Sequence, residues 1–300
     1  MPRVNDCHEV RTADGWRLVV QRIPATGPSK GVAVLGHAMM VDRRSMDRPA
    51  GAGLASTLAA RGWDVHLADV RGHGASGPLP SQGGSWTYDD LVRFDIPALV
   101  ADARERAEGR PVVLVGHSLC GHVSMATAAG GYHTVAPPDA HVLFAANSWL
   151  KGLDPARDAA RNRLVFLFRA ITRVFGRFPS RLVRMGPAEE AAPYVRDICR
   201  YHTTSRWASR DGVDWYAQLD RVEGPILALV GRADAVMAHP EAVERWMAPL
   251  VSAAWELRVL GAGDLALPRD PGHMELVTDP GSRGVWESVA DWMEGATATR

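Results

Sequence analysis

Short apolar runs alternate with helical patterns along most of this 300-residue chain, and that alternation constrains its fold more than any other feature. The runs cover 18–23, 32–36, 65–68, 112–116, 142–146, 226–231 and 257–260. Each is short and bounded by Gly, Pro or charge, as suits strands covered on both faces. Helical patterns at 53–61, 88–106, 119–129, 241–249 and 283–294 lie between most of them. Strands alternating with helices predict a mainly parallel sheet with right-handed crossovers, an α/β fold. In such a sheet ligands sit at the carboxyl ends of the strands.

The rhythm breaks between 149 and 213. This stretch shows no convincing strand and reads as helices at 162–175, 188–201 and near Trp215. It holds 13 basic and six acidic residues, so the balanced charge of the chain hides a basic insertion on an acidic body. A helical insertion on the ligand side reads as a lid. The expected division is therefore a core over 1–148, a helical lid over 149–213 and the rest of the core over 214–300. In the lid, Leu164, Val165, Phe166, Leu167, Phe168, Ile171, Val174 and Phe175 form an apolar face opposite Arg161, Arg169, Arg173 and Arg177. That amphipathic pattern predicts an Arg stripe in solvent. It leaves open a weak lid contact with a lipid interface, or recognition of an acidic substrate.

Composition removes several classes. Lys+Arg and Asp+Glu both number 34, which argues against a nucleic-acid binder. Cys7, Cys120 and Cys199 are odd in number and far apart, so neither a disulfide framework nor a Cys-based zinc cluster is expected. No secretory signal and no run of about 18 apolar residues is visible, so no membrane span is expected and the default location is cytoplasmic. No cofactor and no metal are expected, and oligomeric state is not addressed by the pattern.

The most informative segment is Pro111-Val-Val-Leu-Val-Gly-His-Ser-Leu-Cys-Gly-His122. It reads as strand, sharp turn and helix, and the turn resembles the G-x-S-x-G nucleophile elbow of α/β hydrolases. Four G-x-S triplets occur, and only the one holding Ser118 has an apolar strand before it and a helix after it. The second Gly of the pattern is replaced by Cys120, with Gly121 next. Cys120 is expected as a buried structural residue rather than a nucleophile.

A serine hydroxyl needs a base to remove its proton. His273, in Asp270-Pro-Gly-His-Met-Glu-Leu276, follows the last strand and is the expected base. Asp234, just past the 226–231 strand, is the expected partner that fixes the imidazole. Asp264 and Asp270 are nearer to His273 in sequence, but that proximity matters little here. The order Ser118, Asp234, His273 is the order of α/β hydrolases.

The chain is similar to the α/β-hydrolase superfamily, especially the capped esterases, monoacylglycerol-lipase-like and serine-aminopeptidase-like (S33) hydrolases. Leu35-Gly-His-Ala-Met39 resembles the His-Gly oxyanion loop, with Ala38 in place of Gly. Asp69-Val-Arg-Gly-His-Gly-Ala-Ser76 resembles the D-x-R-G-x-G-x-S loop. The resemblance implies an oxyanion hole made by the backbone N–H groups of Met39 and Leu119. It also makes His37, His73 and His117 loop-stabilising residues rather than metal ligands. Met40, Trp149, Phe168 and Trp207 are expected as pocket residues.

The expected activity is hydrolysis of a small-molecule carboxylic ester through Ser118, His273 and Asp234, with an acyl-enzyme intermediate. Amide or thioester hydrolysis and acyl transfer use the same parts and stay open. The competing class is a non-catalytic binding protein of the same fold, which would usually lack a triad residue.

Overall fold

The computed structural model describes residues 6–298. Ten strands run in chain order: β1 (Cys7–Arg11), β2 (Arg17–Ile23), β3 (Gly31–Gly36), β4 (Trp63–Asp69), β5 (Val112–His117), β6 (Ala140–Phe144), β7 (Arg177–Phe178), β8 (Glu190–Ala191), β9 (Gly224–Gly231) and β10 (Ala253–Leu260). The longer helices are α1 (Leu54–Ala60), α2 (Ile96–Ala107), α3 (Leu119–Ala129), α4 (Pro155–Phe175), α5 (Ala192–Thr204), α6 (Pro240–Met247) and α7 (Arg283–Thr297). Eight strands form one sheet in the order β1-β2-β4-β3-β5-β6-β9-β10. From β4 to β10 all neighbours are parallel, while β2 joins β4, and β1 joins β2, antiparallel.

Side chains on successive residues of a strand face opposite sides, so the central apolar runs feed two cores at once. Leu114, Leu143, Ala228 and Val230 enter one core with α3 and α6. Val113, Val115, Val142, Phe144, Leu227 and Leu229 enter the other, closed by α1 and α7. Because the central strands are parallel, the segments that follow β3, β5, β9 and β10 all emerge at one edge.

The insertion between β6 and β9 has no core of its own. Val165, Phe168, Phe178, Tyr194, Ile198, Tyr201 and Trp207 belong to the same cluster as the sheet's first face. Its helices differ from the expected bounds. α4 starts at Pro155, because Pro suits a first helical position although the turn it opens lacks apolar periodicity. The second helix starts only at Ala192, because 190–191 pair as β8 with β7. These two short strands correct the expectation of a strand-free insertion. No helix forms at Trp215: a turn follows an Ala208–Asp214 bridge and leads to one 3-10 turn at Leu219–Arg221.

The Arg stripe also needs correction. Arg161 is fully buried and its Nε donates to the Val236 carbonyl at 3.0 Å, while Arg169 and Arg173 are exposed. Conversely Phe166 and Val174 are 74% and 77% exposed. The buried residues are Arg161, Val165, Phe168 and Thr172, one face of the 3.6-residue period, with an arginine at its end. Among the described residues, no helix is long and apolar enough to cross a membrane.

Candidate active site

Ser118 stands between β5 and α3 with φ 48° and ψ −103°, a conformation that non-glycine residues seldom adopt. Its N–H donates to the Phe144 carbonyl at 2.8 Å. The turn is crowded: a Cβ on Gly116 would lie 2.5 Å from Gly121 N, and one on Gly121 would lie 2.7 Å from the Ala146 Cβ. The second glycine of the elbow is therefore required at 121. Cys120 points elsewhere, onto Gly36 of β3. Burial pushes its thiol far above the ordinary range, so it carries little thiolate.

His273 and Asp234 arrive from loops after β10 and β9. The His273 Nε2 lies 2.9 Å from Ser118 Oγ, and its Nδ1 lies 2.6 Å from Asp234 Oδ2. A carboxylate accepts only, so Nδ1 carries the proton and Nε2 is free to accept from the serine hydroxyl. Asp234 is buried and also accepts from the Met237 N–H at 3.0 Å. Burial alone would raise its pKa, but the hydrogen bond and charge of His273 outweigh burial and hold it below the ordinary carboxylate value. The loop before His273 packs on Gly231, where a Cβ would fall 2.1 Å from the Pro271 carbonyl oxygen. His117 Nε2 donates to the His273 carbonyl at 3.0 Å. Burial, with His273 beside it, pushes His117 down to about 3, so it is a neutral prop.

The loop after β3 touches the elbow, where the Cys120 N–H donates to the His37 carbonyl at 3.3 Å. Among the described residues, neither the Met39 nor the Leu119 backbone N–H has a hydrogen-bond partner. The left-handed residue of this loop is Met40, φ 63°, and not Ala38, so alanine in place of glycine strains nothing there. Met40 is clamped by the insertion: its N–H donates to Glu190 Oε1 at 2.6 Å and its carbonyl accepts from the Ala188 N–H at 2.9 Å.

Like His117, two histidines near this loop are committed to other partners. His37 Nδ1 donates to the Ala38 carbonyl at 2.7 Å, and its Nε2 accepts from the Val70 N–H at 3.3 Å. Burial, with His73 beside it, lowers His37 to about 3. His73 donates through Nδ1 to the Arg71 carbonyl at 2.9 Å and through Nε2 to Glu190 at 3.1 Å. Burial opposes its charge, but Glu190 outweighs burial and raises its pKa. The result is a buried His73–Glu190 pair that reaches the Met40 loop through the Met40 N–H.

Of the four pocket residues expected from sequence, Met40 and Trp149 keep a trace of exposure, while Phe168 and Trp207 are sealed in the shared core. Trp149 donates through Nε1 to the Met237 carbonyl at 2.9 Å, just past Asp234. Trp207 packs on Trp215 and Trp246. No local sequence pattern marks Glu190 or His122, polar residues buried by contacts distant in the chain. Among the described residues, one group has metal-ligand spacing, Asp154, His239 and Glu241. Arg157 already lies 3.5 Å from Asp154 there.

A hydrogen-bonded serine, histidine and aspartate at the carboxyl edge of a mostly parallel sheet define the α/β-hydrolase class. Within that class the chain belongs to the family described as serine aminopeptidase, S33, whose model matches residues 48–260. It is similar to triacylglycerol lipase 2 of Arabidopsis thaliana, at 32% identity over 127 residues, 37% of this chain and 30% of that protein. Human lipase member N matches at 27% over 126 residues, 37% of this chain and 31% of that protein. The match thus spans under a third of the length of these curated relatives. Solved structures share the fold over nearly the whole chain. A soluble variant of monoglyceride lipase from Saccharomyces cerevisiae has a TM-score of 0.71 at 16% identity, covering 99% of this chain and 96% of its own. An esterase from Thermogutta terrifontis has a TM-score of 0.60 at 17% identity, covering 98% and 100%.

Proposed function

We propose that the protein is a serine hydrolase of carboxylic esters. The observation that carries this reading is the continuous relay from Ser118 Oγ through His273 to Asp234, at 2.9 and 2.6 Å. Ser118 Oγ attacks the ester carbonyl carbon while its proton passes to His273 Nε2. The Met39 and Leu119 N–H groups receive the oxyanion. Collapse of the tetrahedral intermediate expels the alkoxide, which takes the proton from His273. Water, deprotonated by the same nitrogen, then releases the acid and restores the hydroxyl. Esters are favoured over peptides because the similar curated proteins are named lipases and the similar structures include esterases. The test is p-nitrophenyl ester turnover by the purified chain and its loss in Ser118→Ala.

The segment 149–213 acts in this reading as a lid over the substrate. Its outer face offers Phe166, Leu167, Val174 and Phe175 beside the exposed Arg163, Arg169 and Arg173, which suits a weak contact with an anionic lipid interface. Charge reversal at Arg169 and Arg173 should then weaken turnover on anionic micelles more than on a soluble ester. Three free cysteines, two of them buried, accord with a cytoplasmic site of action.

A further inference from the structure

We propose that His122 presents a fixed N–H donor to the substrate, so that the preferred ester carries an oxygen acceptor besides its scissile group. This rests on the ester-hydrolase reading and deepens it. His122 lies one helical turn beyond Ser118, its N–H donating to the Ser118 carbonyl at 3.1 Å. Side chains of a helix lean toward its N-terminus, so the imidazole leans toward the nucleophile.

The direction of the proton follows from the donors available. Trp207 Nε1 lies 3.1 Å from Tyr88 Oη, which in turn lies 2.8 Å from His122 Nδ1. An indole nitrogen can only donate. Tyr88 accepts from Trp207, and with no other acceptor for its hydroxyl among the described residues its own proton goes to His122 Nδ1. With Nδ1 accepting, the ring proton sits on Nε2. Burial, followed by the nearby His273, holds His122 down at about 3, so the ring stays neutral across ordinary working pH. The Tyr88 ring stacks on the imidazole at 5.5 Å and 7°, and Tyr201 and Trp215 pack on Tyr88 in turn. Tautomer and ring plane are both locked.

His122 is 7% exposed. Its Nε2 has no partner among the described residues and is not sealed from solvent. The donor thus opens onto accessible space near His273. Nothing in the acyl-transfer steps uses it. A site built to hydrogen-bond a substrate atom discriminates against analogues that lack that atom.

The experiment uses matched p-nitrophenyl and alkyl esters in which one CH₂ is replaced by an ether oxygen, in the acyl chain in one arm and in the alcohol in the other. Rates are divided by hydroxide-catalysed rates to remove intrinsic reactivity. The expected result is a preference of about tenfold in kcat/KM for the oxygen-bearing partner in one arm. That ratio should collapse toward one in His122→Phe and fall partway in Tyr88→Phe, which frees the tautomer. An unchanged ratio in folded His122→Phe, or no preference in either arm for the wild type, overturns the proposal. Nitrogen-15 NMR of the wild type supplies a readout independent of turnover. An Nδ1–H tautomer or a charged ring for His122 at about pH 7 overturns the locked donor while leaving ester hydrolysis standing. Absence of ester turnover with the Nε2–H tautomer intact overturns the hydrolase reading instead, and the substrate half of the proposal with it.

Discussion

Cys120 occupies the hollow that Gly36 leaves open: a Cβ on Gly36 would lie 2.5 Å from the Cys120 Cβ and 2.8 Å from its Sγ. The elbow tolerates a side chain at 120 because β3 has none at 36, while the crowding that demands glycine falls on 116 and 121. Gly36→Ala should therefore overpack the site and cost about 1–3 kcal/mol or more. Cys120→Gly should keep ester turnover, with a loss of about 1 kcal/mol for glycine in a helix plus a small void. The double variant should recover part of what Gly36→Ala loses. Thermal melts of the three proteins check this, and additive losses would contradict the contact.

Glu190 joins the insertion to the Met40 loop and pairs with His73. Removing one member of a buried pair is costly, so Glu190→Ala should destabilise by about 3–5 kcal/mol. Glu190→Gln keeps an acceptor for the Met40 N–H but weakens the contact with His73. It should lower kcat by roughly tenfold with little change in KM, because the loop carrying Met39 is held less firmly once the His73 contact weakens. Equal kcat in Glu190→Gln and wild type would separate the clamp from catalysis.

Asp234→Asn should slow ester hydrolysis by about 10³-fold or more, because an amide can donate where the carboxylate accepts and so favours the wrong tautomer of His273. Asp264 and Asp270 cap the local backbone, accepting from Gly261 and Ala262 N–H at 2.8 Å each. Asn at either should be much milder. Steady-state kinetics of the three variants rank them, and a larger loss at 264 or 270 would move the acid.

Stability should fall steeply in mild acid. Burial lowers His37, His117, His122 and His141 to about 3 in the fold. In the unfolded chain each returns to about 6.5. Between those values the unfolded state binds protons that the fold does not, so stability is full above about pH 6.5 and lost as pH falls. The slope is about 1.4 kcal/mol per pH unit for each group, or roughly 5 for the four together. His73 is raised and has the opposite sign: its contribution is present below its ordinary value and is lost as pH rises through its folded value. It offsets nothing in the acid window. Urea midpoints should drop sharply from about pH 7 to 5, and His141→Gln should flatten that slope. A flat profile would contradict neutral burial.

The sheet's centre was legible because residues such as Val113–Val115 and Leu227–Leu229 are apolar on both faces. β1 was not, since only Val10 of its five residues is buried and edge strands carry a weak pattern. Ser118, Asp234 and His273 could be named because each follows a strand at the same edge. Arg161 could not be placed, because periodicity alone put it in solvent. The carbonyl of Val236, 75 positions away, is what draws it inward. Glu190 and His122 escaped notice for the same reason: their partners Met40 and Tyr88 lie on other elements, and no local pattern marks a buried polar contact.

The proposed ester hydrolysis depends most on an activated Ser118. Labelling the folded protein with a fluorophosphonate and mapping the adduct by mass spectrometry tests that directly. One adduct per chain, on Ser118, with labelling abolished by His273→Ala and lost in Ser118→Ala, is the predicted result. No adduct on Ser118, or equal labelling after His273 is removed, would contradict it.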